Sequence, residues 1–391
     1  MPVKPLFKGL GSLLGEIRLD SILANPDTST SQENLTTLTS YNLMPKDMRT
    51  IVVPGSPSIW NPQNLPATIK PDSGPYFTDP SRHVFPHCLL EPLLRALLVA
   101  HPNYNLSDID LITDRRNLRL LLDFVSGNQK EFRIEVEVVG STVLFSTWTE
   151  RAKDYVKGFV GYGREFERAW TRTPAGLEGS MMHNRVVGYS LGGLKVVMRF
   201  EVDGCMEEHD APNQHCTDSS TVITPIDDPK HPHTKLTTPT YFTILTHGTL
   251  APASNIIEIK TGSLKKNLVS LRNLGQLWFS QTPILCIGQY GAGGVFSEVS
   301  VKNVLLAGEL SRWEEHNREN LKKLVRVLEM IREVVRKEGG KCVLVLPQGG
   351  KTLGVYKRGG EQGGKGKATG MGMVVGVPPD LVERWGNRVA D

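Results

Sequence analysis

The chain has 391 residues, of which 39% are hydrophobic and 22% are charged, and its formal net charge at pH 7 is +4. This composition is typical of a soluble globular protein, and the length allows one large domain or two ordinary ones. The apolar runs are too short or too interrupted by charge to span a bilayer, so no membrane partner is expected, and residues 1–23 lack the apolar core and cleavage site of a secretory signal.

Residues 1–80 are rich in Pro, Ser, Thr and Asn and contain few periodic segments, so we predict an extended or partly disordered N-terminal arm. From about Val84 the periodicity becomes regular, and a main domain is predicted over residues 81–347. Its first half has helical spacing at 89–99 and 118–124, two strands around Gly140 within 132–144, helical spacing at 155–170 and a strand at 195–203.

Residues 204–238 interrupt this pattern with a polar segment rich in His and Pro, which predicts a surface insertion. Strands follow at 241–245, 256–260 and 284–288, with a helix at 264–279, a long amphipathic helix at 309–337 and a strand at 341–346. Residues 348–391 are predicted to be a Gly/Lys-rich mobile loop, over 348–372, and a C-terminal segment. The irregular alternation favours a mixed α/β domain, with a β-sheet core flanked by helices.

The five cysteines are scattered along the chain and odd in number: Cys88, Cys205, Cys216, Cys286 and Cys342. Reduced thiols in the cytoplasm or nucleus are therefore expected, rather than a disulfide framework. Basic residues group at Arg115, Arg116 and Arg119 and again at Lys260, Lys265 and Lys266. Either group could contact phosphate, although solvated surface is the favoured interpretation.

Two predicted strands carry acidic motifs with a spacing of two. "RFEVD" contains Glu201 and Asp203, and "IIEIK" contains Glu258 and Lys260. Residues i and i+2 of a strand point to the same face, so each motif projects two charged groups together. A divalent cation such as Mg²⁺ compensates clustered carboxylates and prefers oxygen ligands. The alternative is two surface strands whose polar faces carry charged pairs.

Six segments, in this order, resemble the characteristic blocks of the DXO-type decapping nucleases, a family that includes the nuclear partner of the main 5′–3′ exoribonuclease. They are "LITDRRNLRLLL", "FRIEVEVVGSTVLFST", "GYGREFERAW", "LKVVMRFEVDGC", "NIIEIKTGS" and "LWFSQTPILCIGQYGAGGVF". The resemblance covers roughly residues 84–300. It implies a PD-(D/E)XK nuclease-like fold and makes residues 81–347 the catalytic domain.

The resemblance also implies roles for individual residues. The residues that would hold one or two Mg²⁺ or Mn²⁺ ions are Glu167, Glu201, Asp203, Glu258 and the Ile259 carbonyl. Lys260 would act with the three acidic residues of the two strand motifs in catalysis, by positioning a water molecule. Arg115 and Gln281 would bind the terminal phosphates of the substrate, together with Glu201 and Lys260.

The activities that the resemblance implies are decapping, pyrophosphohydrolysis, removal of NAD caps and 5′–3′ exoribonuclease action, within RNA 5′-end quality control. The expected substrates are RNA 5′ ends with a triphosphate, an incomplete cap or an NAD cap. A nuclear location is expected, and a 5′–3′ exoribonuclease is a possible partner. The alternative is a catalytically weak, RNA-binding family member that stabilises a nuclease.

The sequence departs from the family pattern in three places. Residues 204–238 make a longer link than relatives have, Phe279 stands where a tryptophan is expected, and residues 1–80 do not align. Arg49 is the only suggestion for a further substrate-contacting arginine in that arm.

Two other motifs point to different chemistry. "GYSLG", residues 188–192, fits the nucleophile elbow of serine hydrolases with Ser190 as nucleophile. A strand follows it rather than a helix, so a turn between two strands is the favoured interpretation. Four residues are potential zinc ligands, but their spacing is unusual and a flexible loop is favoured: Cys205, His209, His215 and Cys216.

Overall fold

The computed structural model describes residues 4–45, 49–207, 242–359 and 376–385. The strands in these ranges are β1 (Leu10–Arg18), β2 (Gln32–Leu43), β3 (Thr50–Pro54), β4 (Ile59–Trp60), β5 (Ala67–Thr68), β6 (Pro75–Phe77), β7 (Leu111–Asp114), β8 (Phe132–Val139), β9 (Thr142–Thr147), β10 (Lys153–Tyr155), β11 (Thr171–Arg172), β12 (Met182–Leu191), β13 (Leu194–Val202), β14 (Gly204–Cys205), β15 (Thr243–His247), β16 (Ile256–Ser263), β17 (Ile284–Tyr290), β18 (Val295–Asn303), β19 (Lys341–Leu346) and β20 (Thr352–Arg358). The helices are α1 (Pro80–Val84), α2 (Glu91–Ala100), α3 (Arg115–Val125), α4 (Gly163–Trp170), α5 (Leu271–Ser280), α6 (Glu309–Glu338) and α7 (Pro379–Val382).

Eleven of the strands form a large mixed sheet in the order β1-β20-β19-β8-β9-β7-β13-β12-β2-β3-β15. Helices α3, α5 and α6 pack on one face, where Leu121, Leu277 and Leu328 belong to the main hydrophobic core. Helix α2 covers the other face through Leu93 and Leu97. The sheet is therefore buried on both sides, which confirms the predicted sheet core flanked by helices.

Seven strands form a second sheet in the order β11-β4-β14-β16-β17-β18-β5, and β6 pairs with β10 separately. Helix α4 packs on the second sheet, where Phe166 and Trp170 meet Ile259 and Phe296. The main hydrophobic core contains Val202 of the large sheet and Leu285 of the second sheet, so one apolar core joins the two sheets.

The structure differs from the sequence-based expectations in the terminal segments. Strands β1, β2 and β3 come from the predicted N-terminal arm, yet they belong to the large sheet. Strand β20 lies within the predicted 348–372 loop but pairs between β1 and β19, with Leu353 and Val355 buried. Residues 360–375 and 386–391 lie outside the described ranges.

The other differences are shorter elements. Helical structure within 155–170 begins only at Gly163, and the helix within 264–279 begins at Leu271. The predicted insertion begins with a buried strand, β14, and its residues 208–238 lie outside the described part of the chain. Of the potential zinc ligands, only Cys205 lies within the described residues, where it is buried like Cys88, Cys286 and Cys342.

The "GYSLG" segment is a β-hairpin turn, as the sequence favoured. Ser190 pairs with Lys195 across β12 and β13, and Leu191 pairs with Leu194. Gly192 and Gly193 form the turn with φ values of +56° and +83°, which glycine adopts without steric penalty. No helix follows Ser190, so the nucleophile-elbow interpretation is wrong.

Candidate active site

The acidic motifs meet where the chain passes from the large sheet into the second sheet. Strand β13 pairs with β7 in parallel, and immediately after Asp203 the chain forms β14, which pairs with β16 of the second sheet. Gly204 lies opposite Ile257, one residue before Glu258. This register brings the "RFEVD" and "IIEIK" motifs together, although Glu258 follows Glu201 by 57 positions in the sequence.

Asp203 is fixed by the backbone of the second motif, because the amide of Ile259 donates a hydrogen bond of 2.7 Å to its Oδ2. The contact is charge-assisted, and such bonds are stronger than those between neutral groups. The side chain of one motif therefore holds the backbone of the other in place.

Glu258 is the most enclosed of the acidic residues, with only 3% of its surface exposed. Lys260 donates a hydrogen bond to its Oε1, and Nη1 of Arg115 lies 3.5 Å from its Oε2. Gln276 of α5 also donates to Oε1, at 2.5 Å. Arg115 is fixed in turn by Ser280, whose Oγ accepts a hydrogen bond of 2.9 Å. Two cations and an amide thus compensate one buried carboxylate.

The pKa values show how unevenly these charges are compensated. Burial alone would raise the pKa of Glu258, but Lys260 and then Arg115 hold it below its ordinary value. Burial and then the charge of Glu258 raise the pKa of Asp203 to about 7. Burial and then Asp203 raise the pKa of Glu167 to about 9, and burial and then Glu258 raise that of Glu201. Each of the four carboxylates therefore makes it harder for the others to ionise.

The chemistry of this donor set fits a hard divalent cation, which prefers carboxylate and carbonyl oxygens. Among the described residues, however, no three His, Cys, Asp or Glu side chains lie close enough to form a ready-made metal cage. Glu258 is held by Lys260 and Gln276 instead.

An open cavity of about 580 Å³ reaches this site. It runs along the strand ends on one side of the large sheet. Its lining extends from the start of β8, past the ends of β9, β7 and β13, to the start of β12. Its β8 end is basic on balance, because four cations line it together with two carboxylates: Arg116, Arg119, Lys130 and Arg272, with Asp123 and Glu131. Arg115 and Glu201 lie along the middle and Asn184 lies at the β12 end.

The structure brings most of the predicted site residues together. Arg115, Asp203, Glu258, Ile259 and Lys260 are linked by direct contacts. Glu167 and Glu201 lie near the same group, because the charges of the other carboxylates raise their pKa values.

Gln281 is placed differently. It caps the C-terminus of α5 in the left-handed conformation (φ 48°). Its side-chain amide donates a hydrogen bond of 2.9 Å to the carbonyl of Trp278. Gln276, which the sequence analysis did not single out, contacts Glu258. Ser280 was also missed, although it lies one helical turn after Gln276, a spacing that places both on one face. Arg49 precedes β3, which is separated from β13 by β12 and β2.

Comparison with known proteins gives a family without an assigned function. The model of the family described as "Domain of unknown function (DUF8563)" matches residues 16–357. The chain belongs to this family. No curated protein matches this DUF8563 sequence.

Solved structures similar to the DUF8563 protein include Rai1 proteins from three organisms. Scheffersomyces stipitis Rai1, in complex with (3′-NADP)⁺ and calcium, has 10% identity and a TM-score of 0.58, and the match covers 96% of this chain and 98% of that one. Candida albicans Rai1, in complex with pU5 and Mn²⁺, has 13% identity and a TM-score of 0.57, and the match covers 95% of this chain and 98% of that one. S. pombe Rai1, in complex with 3′-FADP, has 14% identity and a TM-score of 0.56, and the match covers 88% of this chain and 98% of that one. These matches confirm the predicted DXO-type resemblance at the level of the fold.

Proposed function

We propose that this protein is a divalent-metal-dependent hydrolase of RNA 5′ ends. The observation that carries the proposal is the meeting of Glu258, Asp203 and Lys260 with Arg115 beside one open cavity. The fold supports it, because C. albicans Rai1 has the same fold and is in complex with pU5 and Mn²⁺. Carboxylates next to Arg and Lys are the groups that phosphoryl transfer needs for charge stabilisation.

The residues that would hold Mg²⁺ or Mn²⁺ are Glu167, Glu201, Asp203, Glu258 and the Ile259 carbonyl. When bound, such an ion polarises a phosphoryl oxygen and makes water a stronger nucleophile at neutral pH. Release of Glu258 from Lys260 would free the Lys260 ammonium to hold a phosphate oxygen or orient the attacking water.

Arg115 is the group best placed to bind the scissile phosphate. It is the first residue of α3, only 8% of its surface is exposed, and Ser280 fixes its guanidinium. A positioned guanidinium stabilises the charge that develops on a transferring phosphoryl group. Gln281 is kept as a proposed substrate-binding residue, although Gln276 is the amide in contact with Glu258.

The basic end of the cavity gives the RNA chain a path away from the site. Arg116, Arg119, Lys130 and Arg272 would contact successive phosphates, so binding would depend on backbone contacts rather than base sequence. We propose triphosphate, incompletely capped and NAD-capped RNA 5′ ends as substrates. A nuclear location and a 5′–3′ exoribonuclease partner are further proposals, to be tested by imaging and by co-purification.

The decisive experiment is incubation of the purified protein with triphosphorylated, capped, NAD-capped and monophosphorylated RNAs in Mn²⁺, Mg²⁺ or EDTA. We expect release of a 5′ product that requires metal and falls by about 100-fold or more in Glu258→Gln. Glu167→Gln should also lower the rate. Glu165→Gln is the matched control, because Glu165 lies on the same helix but pairs with Arg168 at 3.1 Å. Full activity in EDTA would contradict the proposal.

The second candidate is a catalytically weak RNA-binding protein that stabilises a nuclease. It is favoured by one observation, that Glu258 already has Lys260, Arg115 and Gln276 as partners. This candidate predicts RNA binding without turnover in the same assay. It also predicts that added protein slows the thermal inactivation of a 5′–3′ exoribonuclease, and that Glu258→Gln retains this effect.

A further inference from the structure

Strand β18 leaves most of one edge open. On one side it pairs with β17 from Phe296 to Asn303. On its other side β5 pairs only with Val295 and Phe296. Among the residues that the structure describes, residues 297–303 therefore have no strand on that side, and we call them the open segment. The backbone N–H and C=O groups of such an edge can pair with a strand from another chain.

The open segment has the sequence SEVSVKN, which is self-complementary when two copies run antiparallel with Ser300 opposite Ser300. In this register Glu298 of one copy lies opposite Lys302 of the other, and Val299 lies opposite Val301. Each contact occurs twice, because the two copies are related by a two-fold axis. Opposite charges and β-branched residues that face each other across two strands stabilise a sheet.

The charges of the open segment select one register and one kind of partner. If the centre shifts by one residue, Glu298 lies opposite Ser300 or Val304 and the ion pairs are lost. A lysine on an edge strand also discourages pairing with most other strands. A second copy of this chain, however, supplies a carboxylate at the position that Lys302 requires.

Exposed apolar side chains accompany the open segment. Val299 packs against the core of the second sheet, and Val301 lies on the same face of the strand but is 48% exposed. Leu305 and Leu306 follow the open segment directly and are 43% and 84% exposed. A group of large apolar side chains on the surface marks a site of protein association. In the register described above, four valines would extend the core of the second sheet across the two copies.

We propose that this protein forms a symmetric dimer in which β18 pairs with β18 of a second copy, so that the two second sheets become one continuous sheet. The paired region ends where β5 occupies the edge beside Phe296. The inference does not depend on the proposed reaction, because none of the residues of the open segment lines the active-site cavity.

The size of this contact sets the expected affinity. A single pair of short strands buries much less than the roughly 800 Å² per partner of a standard interface. We therefore expect a dissociation constant of about 10–100 μM. Sedimentation velocity of the full chain between about 1 and 300 μM should show a monomer at low concentration and a dimer at high concentration.

Charge reversal tests the register. Glu298→Lys or Lys302→Glu alone places like charges opposite each other at both symmetric positions, and each should raise the dissociation constant by about tenfold or more. The variant with both substitutions should dimerise like the wild-type protein. A mixture of the two single variants should form a mixed dimer, because opposite charges then face each other at both positions. This rescue separates loss of the contact from loss of folding.

Glu315→Lys is the matched control, because it makes the same charge change on the exposed surface of α6 and should leave the dimer unchanged. A protein that stays monomeric up to about 300 μM contradicts the proposal. A dimer that Glu298→Lys weakens no more than Glu315→Lys also contradicts it.

Amide hydrogen exchange at low and high protein concentration shows which edge is covered. Residues 297–303 should become protected at high concentration, whereas β1, at one end of the large sheet, should not. Protection of β1 without protection of the open segment would mean that the copies meet through a different edge and would overturn the proposal.

Discussion

Arg199 of β13 and Asp114, the last residue of the neighbouring strand β7, form a largely buried ion pair. The charge of Asp114 raises the pKa of Arg199 despite burial, which lowers it, so the guanidinium stays charged. Arg199→Met should lower the free energy of unfolding by about 3 kcal/mol, because the Asp114 carboxylate would lose its ion-pair partner in a largely buried position. Urea denaturation followed by circular dichroism measures this loss.

Arg318→Met is the control for that prediction. Arg318 pairs with Glu315 on the exposed surface of α6, and pairs of this kind contribute little to stability. A change of less than about 0.5 kcal/mol is expected. Similar losses in the two variants would show that the buried pair has no special role.

Glu167 and Asp203 predict how metal binding depends on pH. Without metal their pKa values are raised to about 9 and about 7, so at neutral pH Glu167 carries a proton and Asp203 carries one part of the time. A cation displaces these protons, and its affinity should therefore increase as the pH rises from about 6 to about 9. Calorimetry of Mn²⁺ binding in buffers of different ionisation enthalpy measures the protons released.

Glu167→Gln removes the group with the higher pKa and should lower the number of protons released at about pH 8. Binding that neither releases protons nor changes with pH would place the cation elsewhere. Glu165→Gln serves again as the matched variant, because it leaves the four carboxylates intact.

For individual residues, the sequence predicted which side chains share a face within one strand. Glu201 and Asp203, or Glu258 and Lys260, share a face because a strand alternates with a period of two. Gln276 was missed because its contact with Glu258 depends on how α5 packs beside β16, which the spacing of residues within α5 does not show.

Helix α5 positions both Gln276 and Ser280, and its own position depends on a close approach to α6. A Cβ atom added to Gly275 would lie 2.8 Å from Cζ2 of Trp313, which is closer than van der Waals contact allows. Gly275→Ala should therefore displace α5, lower stability by about 1–3 kcal/mol and reduce the hydrolysis rate. Thermal denaturation and the RNA assay on the same preparation measure both effects.

Glu319→Ala on the exposed side of α6 should change neither quantity, because Glu319 is largely exposed and solvent screens its pair with Lys322 at 3.2 Å. Retained stability and full activity in Gly275→Ala would show that Trp313 moves aside without affecting α5.

Elements with strong periodicity were predictable and the others were not. Helix α6 has a continuous apolar face and β8 and β9 alternate around a glycine, so the sequence predicted all three. Strand β20 was missed because glycines and lysines surround its short apolar core at Leu353 and Val355. The first half of β2 is polar, and pairing with β12 rather than its own pattern makes it a strand.

The molecule as a whole has nearly balanced charge, with 45 basic and 41 acidic residues, but four cations line the β8 end of the cavity: Arg116, Arg119, Lys130 and Arg272. RNA binding should therefore weaken steeply with salt, because cations released from the phosphates favour association. Arg116→Ala should reduce the slope of log K against log salt by about 0.7–1, as expected for the loss of one phosphate contact. Fluorescence anisotropy with single-stranded RNA at several salt concentrations gives this slope. Arg318→Ala is the control, and an unchanged slope in Arg116→Ala would place the RNA path elsewhere.

The passage of the chain from β13 into β14 has a consequence for motion. Glu201 belongs to one sheet and Glu258 to the other, so a ligand that binds both resists any separation of the two layers. Opening of either layer then requires that the ligand dissociate, and the two layers become a single cooperative unit. We expect Mn²⁺ to slow amide hydrogen exchange in β2 and β18 alike, although neither strand carries one of the five proposed ligands. The active site would thus determine how stiff the entire protein is.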